Sequence, residues 1–292
     1  MHTAAQRQDK GWWFGVPGIG WLGMFLVLPL LAIFAVSFLT RGEYGGYGLP
    51  VTIENYRRLA GWGELGFDPL YPVILGRSLA LGFGTAVLCF LLAVPLTFFV
   101  AGLNERRRLV ALTLVMVPFW TNLLVRTYAW QLLLGPGSGL SEAASTVGFI
   151  DAGEGLYPSW FAVAVGMVAD FLPFFALPLY ASVEKLDWTL AEAAADLGAN
   201  RWQVFRHAVW PQIRPGAVAG FILVFLPATG QFVIPDLLGG AKTALLGNAI
   251  QQQFGQSRDW PFGSAMACVG LVIMGVGLFL QRWLNRPKEV AP

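Results

Sequence analysis

The chain has 292 residues, 56% hydrophobic and 12% charged, with a mean hydropathy of +0.60 and a formal net charge of +2. A soluble domain carries about 25% charged residues, so a water-soluble globule is excluded; so is intrinsic disorder, which needs low hydrophobicity and high charge. The small net charge gives no electrostatic footprint for nucleic acid, and two Cys and two His without ligand spacing give no metal or redox centre.

The first residues, MHTAAQRQDKGWWF, are similar to the n-region of a signal peptide. The apolar run behind them exceeds the usual ~7–15 residues and no A-x-A cleavage site follows, so an uncleaved first helix is expected. A membrane helix needs roughly 20 apolar residues. Charge-free runs at 11–40, 78–104, 109–125, 216–235 and 261–280 meet or approach that length. The third continues past Arg126 to Leu134, and a further run at 160–183 is interrupted only by Asp170. The expectation is all-α, with six transmembrane helices at roughly 18–40, 76–103, 109–134, 160–183, 216–237 and 262–281. They form one transmembrane domain over 1–292, with a cytoplasmic loop at 184–215. Cys89 and Cys268 fall inside spans and read as small buried apolar residues.

Lys and Arg favour cytoplasmic loops. With both termini inside, 12 of the 19 Lys and Arg lie inside, six lie outside and Arg126 is in the membrane. The inside group includes Arg7, Lys10, Arg286 and Lys288, and the outside group includes Lys242. The sharpest local contrast is NERRR at 104–108 against the loop 135–159, which has neither residue type.

Charges within a bilayer face a cavity or pair with each other. Arg126 lies roughly 12 Å, and Asp170 roughly 15 Å, from the outer end of its span at 1.5 Å per residue, so their depths allow a pair. Span three also carries Phe119, Trp120, Tyr128 and Trp130. Trp120 and Tyr128 stand about two helical turns apart, on nearly one face. Such a row serves either as a lipid-facing belt or as a lining for a cation path.

The segment 184–215 reads EKLDWTLAEAAADLGANRWQVFRHAVWPQIRP. Thr189 with Glu192, and Asn200 with Gln203, have capping-box spacing. Gly198 stands where a left-handed cap closes a helix, and Pro211 is expected to stop the second one. Two short helices and a tight turn outside the membrane offer a rigid surface to a partner, more than a plain connector needs. In span five, Pro227, Gly230 and Pro235 weaken the helix around Gln231 and Asp236. Broken helices line substrate paths, although a kink for packing alone explains the prolines equally well.

No phosphate-binding loop is present: Lys242-Thr243 is preceded by Ala241, and Asp236 holds the first glycine position. No H-E-x-x-H or G-x-S-x-G occurs, and His2 and His207 both fall in cytoplasmic positions.

Glu192, Ala193, Ala194, Gly198 and Pro211 fit the spacing Glu-Ala-Ala, three residues, Gly, nine residues, Ile-x-Leu-Pro. This resembles the EAA loop of permease subunits of bacterial ATP-binding-cassette (ABC) importers; Ala208 and Trp210 stand where Ile and Leu are usual. The strings VPFWTNLLVRTYAWQ, LPFFALPLYASVEKLD, LPATGQFVIPDLLGGAK and RDWPFGSA are similar to the polyamine branch, the spermidine and putrescine permeases. The resemblance covers roughly residues 70–280.

It implies a type I ABC importer permease of MetI-like fold, multi-pass in the bacterial inner membrane, whose first helix wraps a partner permease. The chain would be no enzyme and hold no cofactor of its own. ATP and Mg would sit on two separate ATPase subunits, which the EAA loop would engage through Glu192, Ala193, Ala194, Gly198 and Pro211. The further partners implied are a second homologous permease, a periplasmic substrate-binding protein and membrane lipid. The implied substrate is a spermidine- or putrescine-like cation, with another small organic cation or amine-bearing compound as the alternative. On this reading Trp120, Tyr128, Asp170, Gln231 and Asp236 are the candidates for the path, Asp236 at its outer mouth. Asp170 either attracts the cation or simply neutralises Arg126; the second weighs more, because an unpaired Arg126 would repel a polyamine. A membrane enzyme lacks a catalytic constellation here. A bare scaffold would need neither the buried charges nor the capped loop.

Overall fold

The computed structural model describes residues 12–63, 66–151, 153–240 and 244–284. The charges assigned to Arg7, Lys10, Lys242, Arg286 and Lys288, His2, and the Ala241-Lys242-Thr243 step lie outside the described residues. The chain divides into two compact units, Met1–Pro72 with Ile250–Leu271, and Val73–Ala249 with Val272–Pro292.

In the first unit, α1 (Trp12–Leu22) and α2 (Leu28–Val36) join through a π-helical turn at Gly23–Val27. Together they present an apolar helix, Gly15–Val36, in which no residue is buried and most are exposed. Such a surface is stable only against lipid or another protein. The long loop that follows is folded. β1 (Thr40–Arg41) pairs antiparallel with β2 (Tyr47–Gly48), and β3 (Trp62–Gly63) with β4 (Gly66–Phe67), on either side of α3 (Glu54–Leu59). The Asn55 amide donates to the Ser37 and Leu39 carbonyls at 2.8 Å each, which ties α3 to the end of α2. Arg58 pairs with Asp259 at 3.1 Å and lies 4.1 Å from the centre of the Phe262 ring. The Asp259 side chain is only 7% exposed, so the pair anchors the loop to the segment that opens the last helix.

The second unit holds α4 (Leu70–Ala101) from Val73 on, α5 (Glu105–Met116), α6 (Leu123–Leu134), α7 (Gly139–Thr146), α8 (Trp160–Val183), α9 (Trp188–Asp196), α10 (Arg201–Val204), α11 (Trp210–Gly230), α12 (Val233–Gly239) and α13 (Leu246–Gly255) as far as Ala249. The chain closes with α14 (Trp260–Leu284). Helices α8 and α11 pack along their length, and Phe175, Leu179, Ile213 and Val224 are fully buried in the core of this unit. The packing is close because α11 carries Gly216-x-x-x-Gly220. A β-carbon on Gly220 would lie 2.9 Å from the Phe175 ring and 3.0 Å from its carbonyl oxygen, and one on Gly216 would strike Pro178 and Ser182. Small residues four apart let membrane helices approach where no hydrophobic effect drives them together. Gly220→Leu is therefore expected to destabilise the chain by about 1–3 kcal/mol, the usual cost of overpacking, read as a lowered thermal midpoint in detergent.

Among the described residues five helices are long and apolar enough to cross a membrane: Gly15–Val36, Leu70–Ala101, Trp160–Val183, Arg201–Gly230 and Trp260–Phe279. The pair Glu105–Trp120 and Leu123–Leu134, bent by 94°, counts as a sixth when taken as one broken span. The continuous helix expected at 109–134 is thus corrected. Pro118 sits in a single 3₁₀ turn, Val117–Trp120, and lacks the donor that would continue the α-helix. Asn122 is extended, and its side chain accepts from Leu124 N at 2.8 Å, which starts a new helix.

The fifth span also differs from 216–237. Pro211 does not stop the preceding helix. A π-helical turn at Phe205–Val209 has already shifted the hydrogen-bond ladder where the proline would break it, so α10 and α11 run as one helix, Arg201–Gly230. That helix ends at Gly230, and α12 begins after the extended Gln231.

Coupling turn and candidate transport path

The segment after α8 forms two helices around a sharp turn. Asp187, not Thr189, caps α9. Its carboxylate accepts from Thr189 N at 3.0 Å and from the Thr189 hydroxyl at 2.6 Å. Two cap-forming residues lie close together here, and the choice is made 25 residues on: the Gln212 side chain accepts from Asp187 N at 2.9 Å and donates to the Ala208 carbonyl at 2.8 Å. Gln212 thereby ties the start of α9 to the start of α11, a role that no local spacing signals.

Gly198 has φ +86°, and the amides of Gly198 and Ala199 close the turn on the carbonyls of Ala195 and Ala194. Asn200 and Gln203 form a full capping box, at 2.8 and 2.9 Å. Within α9, Ala191 is buried, whereas Glu192 and Ala193 face outward and Ala194 is half-buried. Leu197, at the tip, is 90% exposed, and Trp188, Leu190 and Trp202 are exposed beside it. Pro211 lies inside the helix Arg201–Gly230, so the turn and the apolar part of that helix belong to one continuous rod.

The structure brings Arg126 of α6 and Asp170 of α8 into an ion pair, with 17% and 12% of the two side chains exposed. Arg126 also donates to the Pro118 carbonyl at 2.7 Å, and its guanidinium lies 5.8 Å from the Phe119 ring centre. One side chain therefore spans the bend and fastens it to α8. The Asp170 charge is matched there.

Trp120 and Tyr128 do not share a face: the break at Thr121–Asn122 puts them on separate segments, 74% and 52% exposed. Gln231 spends its side-chain oxygen on the backbone, accepting from Phe232 N at 3.0 Å and Val233 N at 3.2 Å. Asp236 is exposed on α12 and accepts from the Asn248 amide at 3.3 Å. Helix α6 packs against α8 and α12, so Tyr128, Asp170 and Asp236 come from adjoining helices, while Trp120 lies beyond the bend. Gln131 was not singled out from the sequence. It donates to the Leu237 carbonyl at 2.6 Å and to the Tyr157 hydroxyl at 3.2 Å, joining α6 to α12. The signal was an amide in an apolar span, overshadowed by the aromatics around it.

Apolar spans, one interrupted near an exposed acid, and two capped helices joined by a tight turn describe a membrane permease. The chain belongs to the binding-protein-dependent transport system inner membrane components, whose family model matches residues 93–289. It is a transport subunit and not an enzyme. It is 41% identical to the spermidine/putrescine transport system permease protein PotB of Haemophilus influenzae over 274 residues, covering 92% of this chain and 93% of that one. Identity to PotB of Escherichia coli is likewise 41%, over 93% and 98% of the two chains. Among solved structures, a bacterial ABC transporter that imports the acidic polysaccharide alginate superposes with a TM-score of 0.71 over 94% of this chain and 96% of its own, at 17% identity. That likeness gives the fold, a type I, MetI-like permease.

Proposed function

We propose that the chain is the permease subunit of an ATP-driven importer that takes a spermidine- or putrescine-like polyamine from a periplasmic binding protein into the cytoplasm. The observation that carries this is identity of 41%, sustained over nearly the whole length, to permeases named for those substrates. The fold itself does not choose a substrate: the alginate transporter, solved with an alginate-bound periplasmic protein, shares it.

In this reading both termini and the turn between α9 and α10 are cytoplasmic, the helix Arg201–Gly230 enters the membrane behind it, and a second homologous permease supplies the other half of the path. Two ATPase subunits hold ATP and Mg; this chain contributes the docking turn, with Glu192, Ala193, Ala194 and Gly198 on or beside it and Pro211 in the rod behind. Closure of the ATPase pair pushes the turn, the rod Arg201–Gly230 tilts, and the spans open outward; hydrolysis resets them. Tyr128 and Trp120 offer aromatic faces to ammonium and methylene groups alike, Gln231 has its amide nitrogen left to donate, and exposed Asp236 collects the cation at the mouth.

The test is radiolabelled uptake into vesicles holding the complete importer, with spermidine and a second small organic cation compared. Asp236→Asn is expected to slow spermidine uptake most at low salt, since an exposed attraction is screened within about 8–10 Å at physiological ionic strength. Trp120→Ala and Tyr128→Ala are expected to slow it about two- to fivefold, the worth of an exposed cation–π contact. Wild-type rates for all three at both salts would place the path elsewhere. Preference for the other cation would remove the polyamine assignment.

A further inference from the structure

A groove of about 580 Å³ opens on the second unit between α4 and the rod that carries the turn. Phe90 and Leu91 of α4 form one wall, Phe205 and Trp210 the other, and Trp202 and Arg206 stand at the rim. Its volume is that of a ligand cleft, roughly 300–1,000 Å³. The aromatic walls are preformed, with Phe90 and Trp210 rings 6.0 Å apart and Phe205 and Trp210 rings 6.5 Å apart. Apart from Arg206 the lining is apolar. Arg206 is exposed and, among the described residues, makes no ion pair.

We infer that this groove binds an anionic phospholipid, the acyl chain along Phe90, Leu91 and Trp210 and the phosphate on Arg206. Three features single out a lipid. Leu91 lies roughly 15 Å in from the Ala101 end of α4 at 1.5 Å per residue, the depth of an acyl chain within one leaflet. The Trp202 ring at the rim matches the headgroup level, where Trp and Tyr gather. The cation in the lining is a guanidinium, whose fork fits a phosphate, and basic pockets beside cytoplasmic helix ends take anionic headgroups. Placing this lipid in the inner leaflet rests on the orientation proposed above.

The site has a consequence for transport. One wall is the π-helical turn Phe205–Val209, an irregularity that recurs at functional positions. A lipid wedged there bridges α4 to the rod that moves when the turn is pushed. Anionic lipid thus sets how freely the rod tilts.

Native mass spectrometry of the complete importer, released from detergent with added phosphatidylglycerol or phosphatidylcholine, tests the site. Wild type is expected to retain phosphatidylglycerol about fivefold better, the factor one basic residue contributes near an anionic surface. Arg206→Gln is expected to erase that preference and Arg206→Lys to keep it. Leu91→Trp, which fills the groove from an exposed position, is expected to lose one bound lipid of either kind. Unchanged preference in Arg206→Gln, unchanged retention in Leu91→Trp, or lipid bound only after the ATPase subunits are stripped away would each overturn the inference, the last by showing that protein covers the groove. Accessibility labelling of cysteines placed in 184–215 reads the orientation separately, so an inverted topology would move the lipid to the other leaflet without touching the retention result.

Discussion

Neutralising one member of the Arg126–Asp170 pair is expected to cost about 3–5 kcal/mol, and neutralising both to cost less than either change alone. A single change leaves a charge in a site from which water is largely excluded; the double change leaves none. The two single variants will not be equal. Asp170 has Arg126 as its ion-pair partner, whereas Arg126 also holds the Pro118 carbonyl and lies over Phe119. Asp170→Asn leaves a cation that still has an acceptor and an aromatic face. Arg126→Gln leaves a bare carboxylate and also unfastens the bend from α8, so it is the costlier change. Thermal melts of Asp170→Asn, Arg126→Gln and the double variant in detergent form the cycle. Additive effects would show that the two charges do not interact.

The pair was legible in the sequence and the bend beneath it was not, for one reason. Depth along a span follows from residue count, so two charges at similar depth on helices three and four could be matched before any contact was known. The bend depends on which proline breaks a helix, and prolines differ. Pro95 in α4, and Pro173 and Pro178 in α8, lie inside helices that continue through them. Pro118 breaks its helix because Asn122, four residues later, captures Leu124 N and begins another. Pro211 is tolerated because a π turn precedes it. Apolar composition hides such distinctions, since it registers 109–134 as one span whether straight or folded back.

The turn at Gly198 was legible for the opposite reason: caps are local. Gly198, Asn200 and Gln203 act within a few residues of one another, and their spacing alone places the turn. Where the cap depends on a distant partner, as Asp187 depends on Gln212, the sequence favours the wrong residue. The two hairpins of the first unit have strands of two residues, too short for any alternation to register. The pairing of α8 with α11 is non-local, and Gly216-x-x-x-Gly220 is its only mark in the chain.

Gly198→Asp is expected to abolish substrate-stimulated ATP hydrolysis by the assembled importer while the chain still inserts at the wild-type level. The geometry separates the two effects. Gly198 has φ +86°, which costs an L-residue roughly 1–2 kcal/mol, with Asp among the residues that tolerate it best. A β-carbon there meets no other atom of this chain within 4 Å, so no clash adds to the strain. The capping box at Asn200 and the clasp of Gln212 on Asp187 hold both helices in place regardless. The side chain therefore points into open space beside exposed Leu197, and in the proposed docking of the turn on an ATPase subunit it puts a carboxylate into that contact. Gly198→Ala carries similar backbone strain without charge or length, and is expected to lose about thirtyfold or less, the most that strain of this size supports if it acted wholly on docking. Both variants are measured in reconstituted importer with its binding protein present, as stimulated over basal ATPase rate. Wild-type stimulation in Gly198→Asp would remove the turn from the coupling contact. Equal loss in both variants would assign the defect to backbone strain in the turn rather than to the surface it presents.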